Sequence, residues 1–277
     1  MVKLIYITLL FCFLSVQSAF SDGIIKEKSL STSQGKTLNV KSECGDINIS
    51  TWNKDEVYVK ITGNDNAKEK MEFNIEEKNG DIYVSAKKSS GIKFLNNINL
   101  KIEVSIPEKY NSEISTAGGD ISLGSLTGNV ELKTAGGNIE LKNISGKAEL
   151  KTAGGNIKIE SSSGDIEAST AGGNININGS NGKIEAKTAG GDIIVNYTGD
   201  NKGIELKTSG GDIKLFLPDN ISANIYLKTS SGDIKMGFPF DGEINKSASK
   251  ITGKINNGGN TISCKTAGGN IVLEKNK

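Results

Sequence analysis

The chain has 277 residues, 35% apolar and only 5% aromatic, with 34 glycines and a net charge of +1 from 33 basic and 32 acidic residues. Every basic residue is a lysine and there is no histidine. This removes the arginine forks of nucleic-acid readers, the commonest general base and metal ligand, and the Ser-His-Asp and Cys-His nucleophile systems. A core of thin stacked aliphatic layers needs few aromatics, so the composition points to one elongated repeat domain.

Residues 1–21 read as a signal peptide: Lys3 gives a positive start, Leu4 to Val16 is an apolar run too short to span a membrane, and Ala19-Phe20-Ser21 offers small residues at a cleavage site before Asp22. Cleavage after Ala19 is the alternative. Cys12 is a poor lipid-anchor candidate, because Phe11 precedes it where a small residue is needed. No later stretch is long enough for a transmembrane helix, so the expected location is secreted, periplasmic or at the cell envelope. The C-terminal Val272 to Lys277 carries no recognisable sorting signal.

Residues 22–110 lack a fixed period but alternate apolar and polar side chains, as half-buried strands do. Val57 to Ile61, Phe73 to Ile75 and Asp81 to Val84 alternate well, and Leu100 to Ile106 is a clean strand stopped by Pro107. Ser42 to Ile47 is a degenerate early copy of the motif that dominates the rest of the chain. This region is expected to form less regular first coils that cap a solenoid and hide its strand edge. Trp52, the only tryptophan, fits a cap core better than a ligand platform.

From residue 111 the sequence repeats. Thr-Ala-Gly-Gly-Asp/Asn-Ile starts at Thr116, Thr134, Thr152, Thr170 and Thr188, each 18 residues after the last; variants follow at Thr208 and Thr229, and a clean copy at Thr266. The final gap of 37 residues leaves room for two coils. A weaker copy lies nine residues into each unit, as in Ile144-Ser145-Gly146-Lys147-Ala148. The expected fold is therefore all-β: a single-stranded β-solenoid (β-helix) of 18-residue coils, each made of two nine-residue half-coils, over 111–277 and continuous with the 22–110 cap. The Gly pair is expected to supply backbone freedom, including positive φ, at the bend. The Ala after each Thr is expected to fill a narrow core corner. Core pairs recur as Ile121/Leu123, Val130/Leu132, Ile157/Ile159, Ile175/Ile177, Ile193/Val195 and Ile213/Leu215.

The Asx after the Gly pair invites a calcium-roll reading, but the further Gly-x-Asp of that motif is missing and Asn138, Asn156, Asn174 and Asn270 are neutral. A stack of Asx side chains bonding turn amides and one another is the better reading, so no metal and no cofactor is expected. Cys44 and Cys264 lie near opposite ends of the proposed rod. Too far apart for a disulfide, they are expected to be free thiols, with Cys264 a small buried hydrophobe.

Outward residues form columns. One sheet carries Glu131, Glu149, Glu167, Glu185 and Glu205 beside Lys133, Lys151, Lys187 and Lys207, a self-neutralising soluble face. It offers neither the cleft nor the apolar pocket that paired-carboxylate catalysis requires. The other sheet is less charged, with Asn176, Asn178, Ile194, Asn196, Lys214 and Phe216 outward, and Tyr197, Leu217 and Pro218 are expected to add apolar surface beside them. This patch is the candidate ligand-binding face; the competing reading packs Phe216 under residues 235–258.

Gly45-Asp46-Ile47-Asn48-Ile49 with Thr51 to Val57, Val104-Ser105-Ile106-Pro107 leading to Ser115 to Ile121, and the closing Gly258-Gly259-Asn260 to Ile271 together resemble the bacterial candidate-adhesin domain, a domain of unknown function. The similarity covers about residues 38–277. It implies a β-solenoid on or outside the cell envelope with no catalytic residues to carry over. The expected function is a non-catalytic, adhesin-like module binding an unknown protein, peptide or glycan of the envelope, and not nucleic acid. The alternatives are a periplasmic structural or envelope-stress partner protein and, more remotely, a polysaccharide-acting β-helix enzyme.

Overall fold

The computed structural model describes residues 23–92, 95–245 and 249–276. The expected signal peptide, with Cys12, lies outside the described residues. The described chain is a β-solenoid of two long sheets, which we call sheet one and sheet two; each coil contributes one strand to each.

Sheet one stacks Ile121–Leu123, Ile139–Ser145, Ile157–Ser163, Ile175–Ser180, Ile193–Thr198 and Ile213–Leu217 in parallel and in register. Ile121, Ile139, Ile157, Ile175, Ile193 and Ile213 thus form one continuous inward column, each at most 1% exposed. Sheet two stacks Asn111–Thr116, Val130–Thr134, Ala148–Lys151, Ile166–Ser169, Ile184–Lys187 and Ile204–Lys207 in the same way. Because the side-chain period of a strand is two, in-register stacking puts each inward residue on an inward neighbour, and every core pair read from the sequence is buried.

The turn between the sheets works differently from the sequence expectation. The buried corner residue is Thr, while Ala135 and its equivalents are exposed. Thr134 Oγ1 donates to Gly119 O of the preceding coil (2.8 Å) and accepts from its own Gly137 N (3.3 Å). A hydroxyl on a small β-branched side chain fills the corner and satisfies two backbone groups at once, which Ala cannot do. The Gly pair is not needed for positive φ, which instead falls on the single glycines of the weak half-coil, Gly128, Gly146 and Gly164. The second Gly of each pair is required because the coils approach closely: a Cβ on Gly137 would overlap Gly119 O, whereas one on Gly136 meets nothing nearer than 3.9 Å. The variant copies obey the same rule. Ser231 replaces the first Gly and Cys44 does so in the degenerate copy, but Gly232 and Gly45 are retained.

The Asx residues form a ladder along this corner. Asn138 N donates to Asp120 Oδ1 (2.7 Å), Asn156 N to Asn138 Oδ1 (2.9 Å), Asn174 N to Asn156 Oδ1 (2.8 Å) and Asp192 N to Asn174 Oδ1 (2.8 Å). Each side chain caps the turn amide of the next coil, as expected from the sequence.

The coils are not stacked in sequence order. At the C-terminal end, Thr261–Lys265 lies between Ile204–Lys207 and Ala223–Lys228, and Ile271–Lys275 lies between Ile213–Leu217 and Ile234–Met236. The last coil in the chain is therefore second from the end. Both corner ladders agree: Thr266 Oγ1 donates to Gly211 O and Thr229 Oγ1 to Gly269 O, while Asn270 N donates to Asp212 Oδ1 and Asp233 N to Asn270 Oδ1. The 37-residue gap thus holds one strand of each sheet, Ile234–Met236 and Thr261–Lys265, where two coils had room, and between them an antiparallel excursion, Asp241–Asn245 and Lys250–Ile255, that covers the end of sheet two.

The N-terminal end does the same. Thr37–Ser42 and Asp46–Trp52 form a coil that sits inside the one formed by Asp81–Lys88 and Leu100–Pro107. Antiparallel strands Glu56–Gly63 and Gly23–Ser31 extend sheet one, and Met71–Lys78 extends sheet two. Lys26 Nζ and Lys28 Nζ reach across from the edge of sheet one to Phe73 O and Ile75 O on the edge of sheet two (2.8 and 3.1 Å), occupying carbonyls that would otherwise invite another strand. The one helix among the described residues, Asp65–Lys70, lies where the sequence reading expects only β structure; Asn64 caps it by accepting from Ala67 N.

Candidate binding face

The outward face of sheet two is charged throughout its middle. Glu131, Glu149, Glu167, Glu185 and Glu205 stack in register beside Lys133, Lys151, Lys187 and Lys207. Lys151 Nζ bonds Glu149 Oε1 (2.6 Å) and approaches Glu167 (3.8 Å); Lys133 and Lys187 pair with Glu131 and Glu185. The lysine bond holds the Glu149 carboxyl below the usual carboxylate range, and the Glu149 bond holds Lys151 above its own. These groups neutralise one another in solvent, where each pair contributes about 0–1 kcal/mol.

Sheet one begins the same way. Lys158 Nζ bridges Glu140 (2.8 Å) and Glu160 (2.7 Å), which together raise its pKa. The pattern then breaks. Asn176 and Asn178 lie on Ile175–Ser180, Ile194 and Asn196 on Ile193–Thr198, and Lys214 and Phe216 on Ile213–Leu217. Asn176 is the cross-strand partner of Ile194, Ile194 of Lys214, Asn178 of Asn196, and Asn196 of Phe216. The structure thus brings all six sequence candidates together as two rows of three. Ile194 and Phe216 are half-buried and the other four are exposed. Asn196 Nδ2 donates to Asn178 Oδ1 (2.8 Å) and Asn178 Nδ2 to Glu160 O (3.0 Å), which fixes the amide orientations.

Other expectations need correction. Tyr197 and Leu217 are fully buried, so neither adds apolar surface. Tyr197 fills the corner above Gly179, its cross-strand partner, and its hydroxyl donates to Gly182 O (2.9 Å) with Asp200 O at 2.7 Å. The strands Asp241–Asn245 and Lys250–Ile255 join sheet two. Trp52 is at the other end of the rod, half-buried, its Nε1 donating to Glu56 O (2.8 Å) and Lys54 Nζ 4.4 Å from its ring centroid.

Among the described residues, no three His, Cys, Asp or Glu side chains gather as metal ligands would, and no helix is long and apolar enough to cross a membrane. The two cysteines among the described residues, Cys44 and Cys264, are free. Burial pushes the Cys264 thiol up to about 12, while Cys44 is raised by partial burial and then by Glu43.

Residues 35–274 match one family, which takes in all the described strands except Gly23–Ser31 and the last residue of Ile271–Lys275. The chain belongs to the Toastrack DUF4097 family. Among solved structures, the Toastrack chain is similar to a candidate cell-adhesion protein from Clostridium sporogenes, at 19% identity and a TM-score of 0.26, over 92% of this chain and 100% of that one. It is also similar to a candidate adhesin from Bacteroides fragilis, at 12% identity and a TM-score of 0.45, over 93% and 99%. A candidate lipid-binding protein from Parabacteroides distasonis aligns at 12% identity and a TM-score of 0.27, over 91% and 96%. No curated protein matches the chain.

Proposed function

We propose that this chain is a non-catalytic, extracytoplasmic binding module that holds an extended envelope polymer, glycan or peptide, against the sparsely charged patch of sheet one. The observation that carries this reading is the break in the charge pattern. Outward positions that are all Glu or Lys at the levels of Ile139–Ser145 and Ile157–Ser163 become Asn176 and Asn178, then Ile194 and Asn196, then Lys214 and Phe216, so that a single charge remains over three coils. A rigid, in-register sheet presents them at a spacing of about 4.8 Å. Half-buried apolar side chains beside fixed amides match a ligand with alternating polar and apolar edges, and a preorganised face loses little entropy on binding. The absence of histidine supports binding without chemistry. The signal-peptide reading of residues 1–21 supports an extracytoplasmic site of action.

The test is retention of the purified protein on cell-wall, surface-polysaccharide and outer-envelope protein fractions. The expected result is retention by one fraction and its loss in Phe216→Ala with unchanged thermal unfolding. Equal retention of Phe216→Ala and wild type, or retention by none of the fractions, overturns the reading.

A further inference from the structure

The chain departs from its 18-residue spacing at three places, and all three meet at one corner. In the regular coils two or three residues join sheet one to sheet two, as Gly146-Lys147 and Asn181 to Lys183 do. After Thr198 the link is lengthened to 199–203, after Leu217 to 218–222, and the return from the antiparallel excursion adds 256–260. The out-of-order coil places these loops side by side, and they enclose a cleft of about 360 Å³, within the size range of small-ligand sites. In repeat folds, insertions that converge on one face mark a binding surface.

The loops are held by a set of asparagine clamps. Asn201 Nδ2 donates to Ser222 O (3.2 Å) and Asn260 O (2.6 Å), and its Oδ1 accepts from Gly203 N (2.9 Å). Asn260 Nδ2 donates back to Asn201 O (2.8 Å), Asn224 Nδ2 to Gly259 O (2.6 Å) and Asn256 Nδ2 to Ile221 O (2.7 Å). Gly258 and Gly259 take positive φ, 72° and 145°, so the rim there is bare backbone. With the loops fixed, the lining carries the Asp200 carboxylate, the Asn220 amide, the Ser222 hydroxyl and the Asn260 side-chain carbonyl.

We infer that this cleft binds one neutral hexose unit. The lining contains no lysine, so an anionic sugar or phosphate has no counter-charge. It has one carboxylate, where a calcium site draws on six to eight oxygens, usually with several carboxylates. Its one aliphatic side chain, Ile221, is 3% exposed, which leaves no surface for a lipid tail. A carboxylate that accepts from two adjacent hydroxyls, flanked by amides and a hydroxyl that both donate and accept, matches a polyol ring. The cleft shares no residue with the sheet-one patch, so the two proposals stand or fall separately.

The experiment is ligand-observed saturation-transfer NMR on the full chain with D-glucose, D-galactose, D-mannose and N-acetylglucosamine, with glucuronate as a separate arm and calcium chloride tested by its shift of the thermal unfolding midpoint. At least one neutral sugar is expected to give a saturable signal that weakens about tenfold or more in Asp200→Ala and in Asn220→Ala, the consequence of one unmade buried hydrogen bond. Both variants alter exposed side chains outside the clamps, and Phe216→Ala is expected to leave the signal unchanged. Asn220→Ala serves as the independent reading if Asp200→Ala alters unfolding. No signal from any neutral sugar, a signal unaffected by both variants, tighter binding of glucuronate, or a response to calcium alone each overturns the inference.

Discussion

Replacing one glycine of a pair, and then the other, separates close packing from conformational freedom. Gly136 and Gly137 are adjacent, and neither has positive φ. A Cβ on Gly136 meets only Gly118 at 3.9 Å, an ordinary contact. A Cβ on Gly137 overlaps Gly119 O, so the turn must open by about 1 Å to reach van der Waals separation. Three bonds cross that gap: Thr134 Oγ1 to Gly119 O (2.8 Å), Asn138 N to Asp120 Oδ1 (2.7 Å) and Ile121 N to Asn138 O (2.9 Å). At about 1 kcal/mol each, Gly137→Ala should cost about 2–4 kcal/mol. Gly136→Ala should stay within about 0.5 kcal/mol of wild type, because the loss of unfolded-chain entropy offsets any small adjustment. The chain already contains this experiment in part, since Ser231 occupies the first-Gly position while Gly232, which has no positive φ, is kept. Urea unfolding followed by circular dichroism, with limited proteolysis to find a local opening in the rod, measures both variants. Equal costs, or a larger cost at Gly136, would refute the close-approach argument.

Three further outcomes are expected. Ile157 is fully buried in the central column, so Ile157→Asp should cost several kcal/mol and expose mid-rod protease sites; Glu149→Ala on the solvated face should cost at most a few tenths, and the two variants compared by urea unfolding test the register. Ser112 Oγ is buried without a hydrogen-bond partner in an otherwise aliphatic column, so Ser112→Ala should stabilise by up to about 1 kcal/mol, read as a higher urea midpoint. A thiol reagent at mildly alkaline pH should label Cys44 in the native protein but not Cys264, whose thiol is buried and pushed up to about 12; both should label in denaturant, and native labelling of Cys264 would contradict its core position.

Much of this fold is legible in the sequence because stacking turns a one-dimensional repeat directly into columns. Ile139, Ile157 and Ile175 align because the period is 18 and the coils are in register, and the Asx ladder follows from the same arithmetic. What the repeat does not carry is coil order. A gap of 37 residues is equally two coils or a hairpin and a return, and only tertiary pairing places Asn270 between Asp212 and Asp233. The corner reading fails for a local reason: Thr and Ala are both small, and the carbonyl left by Gly119, which decides between them, is invisible until the coils are stacked. The six candidate face residues are legible because five of them, all but Lys214, interrupt a charged pattern. The cleft is not, because Asp200, Asn220 and Asn260 are up to 60 positions apart and meet only through the displaced coil; a sequence signal exists in the three oversized links, but only if they are known to share a corner.

The most direct test of the binding-face account compares the two sheets. Ile194→Lys carries the charged pattern into the sheet-one patch, and Glu167→Lys alters the charged column of sheet two at an equally exposed strand position. Both should fold with near-native stability. Retention on the envelope fraction that captures wild type should be lost in Ile194→Lys and kept in Glu167→Lys. Loss in Glu167→Lys with retention in Ile194→Lys would place binding on the charged face and contradict the account.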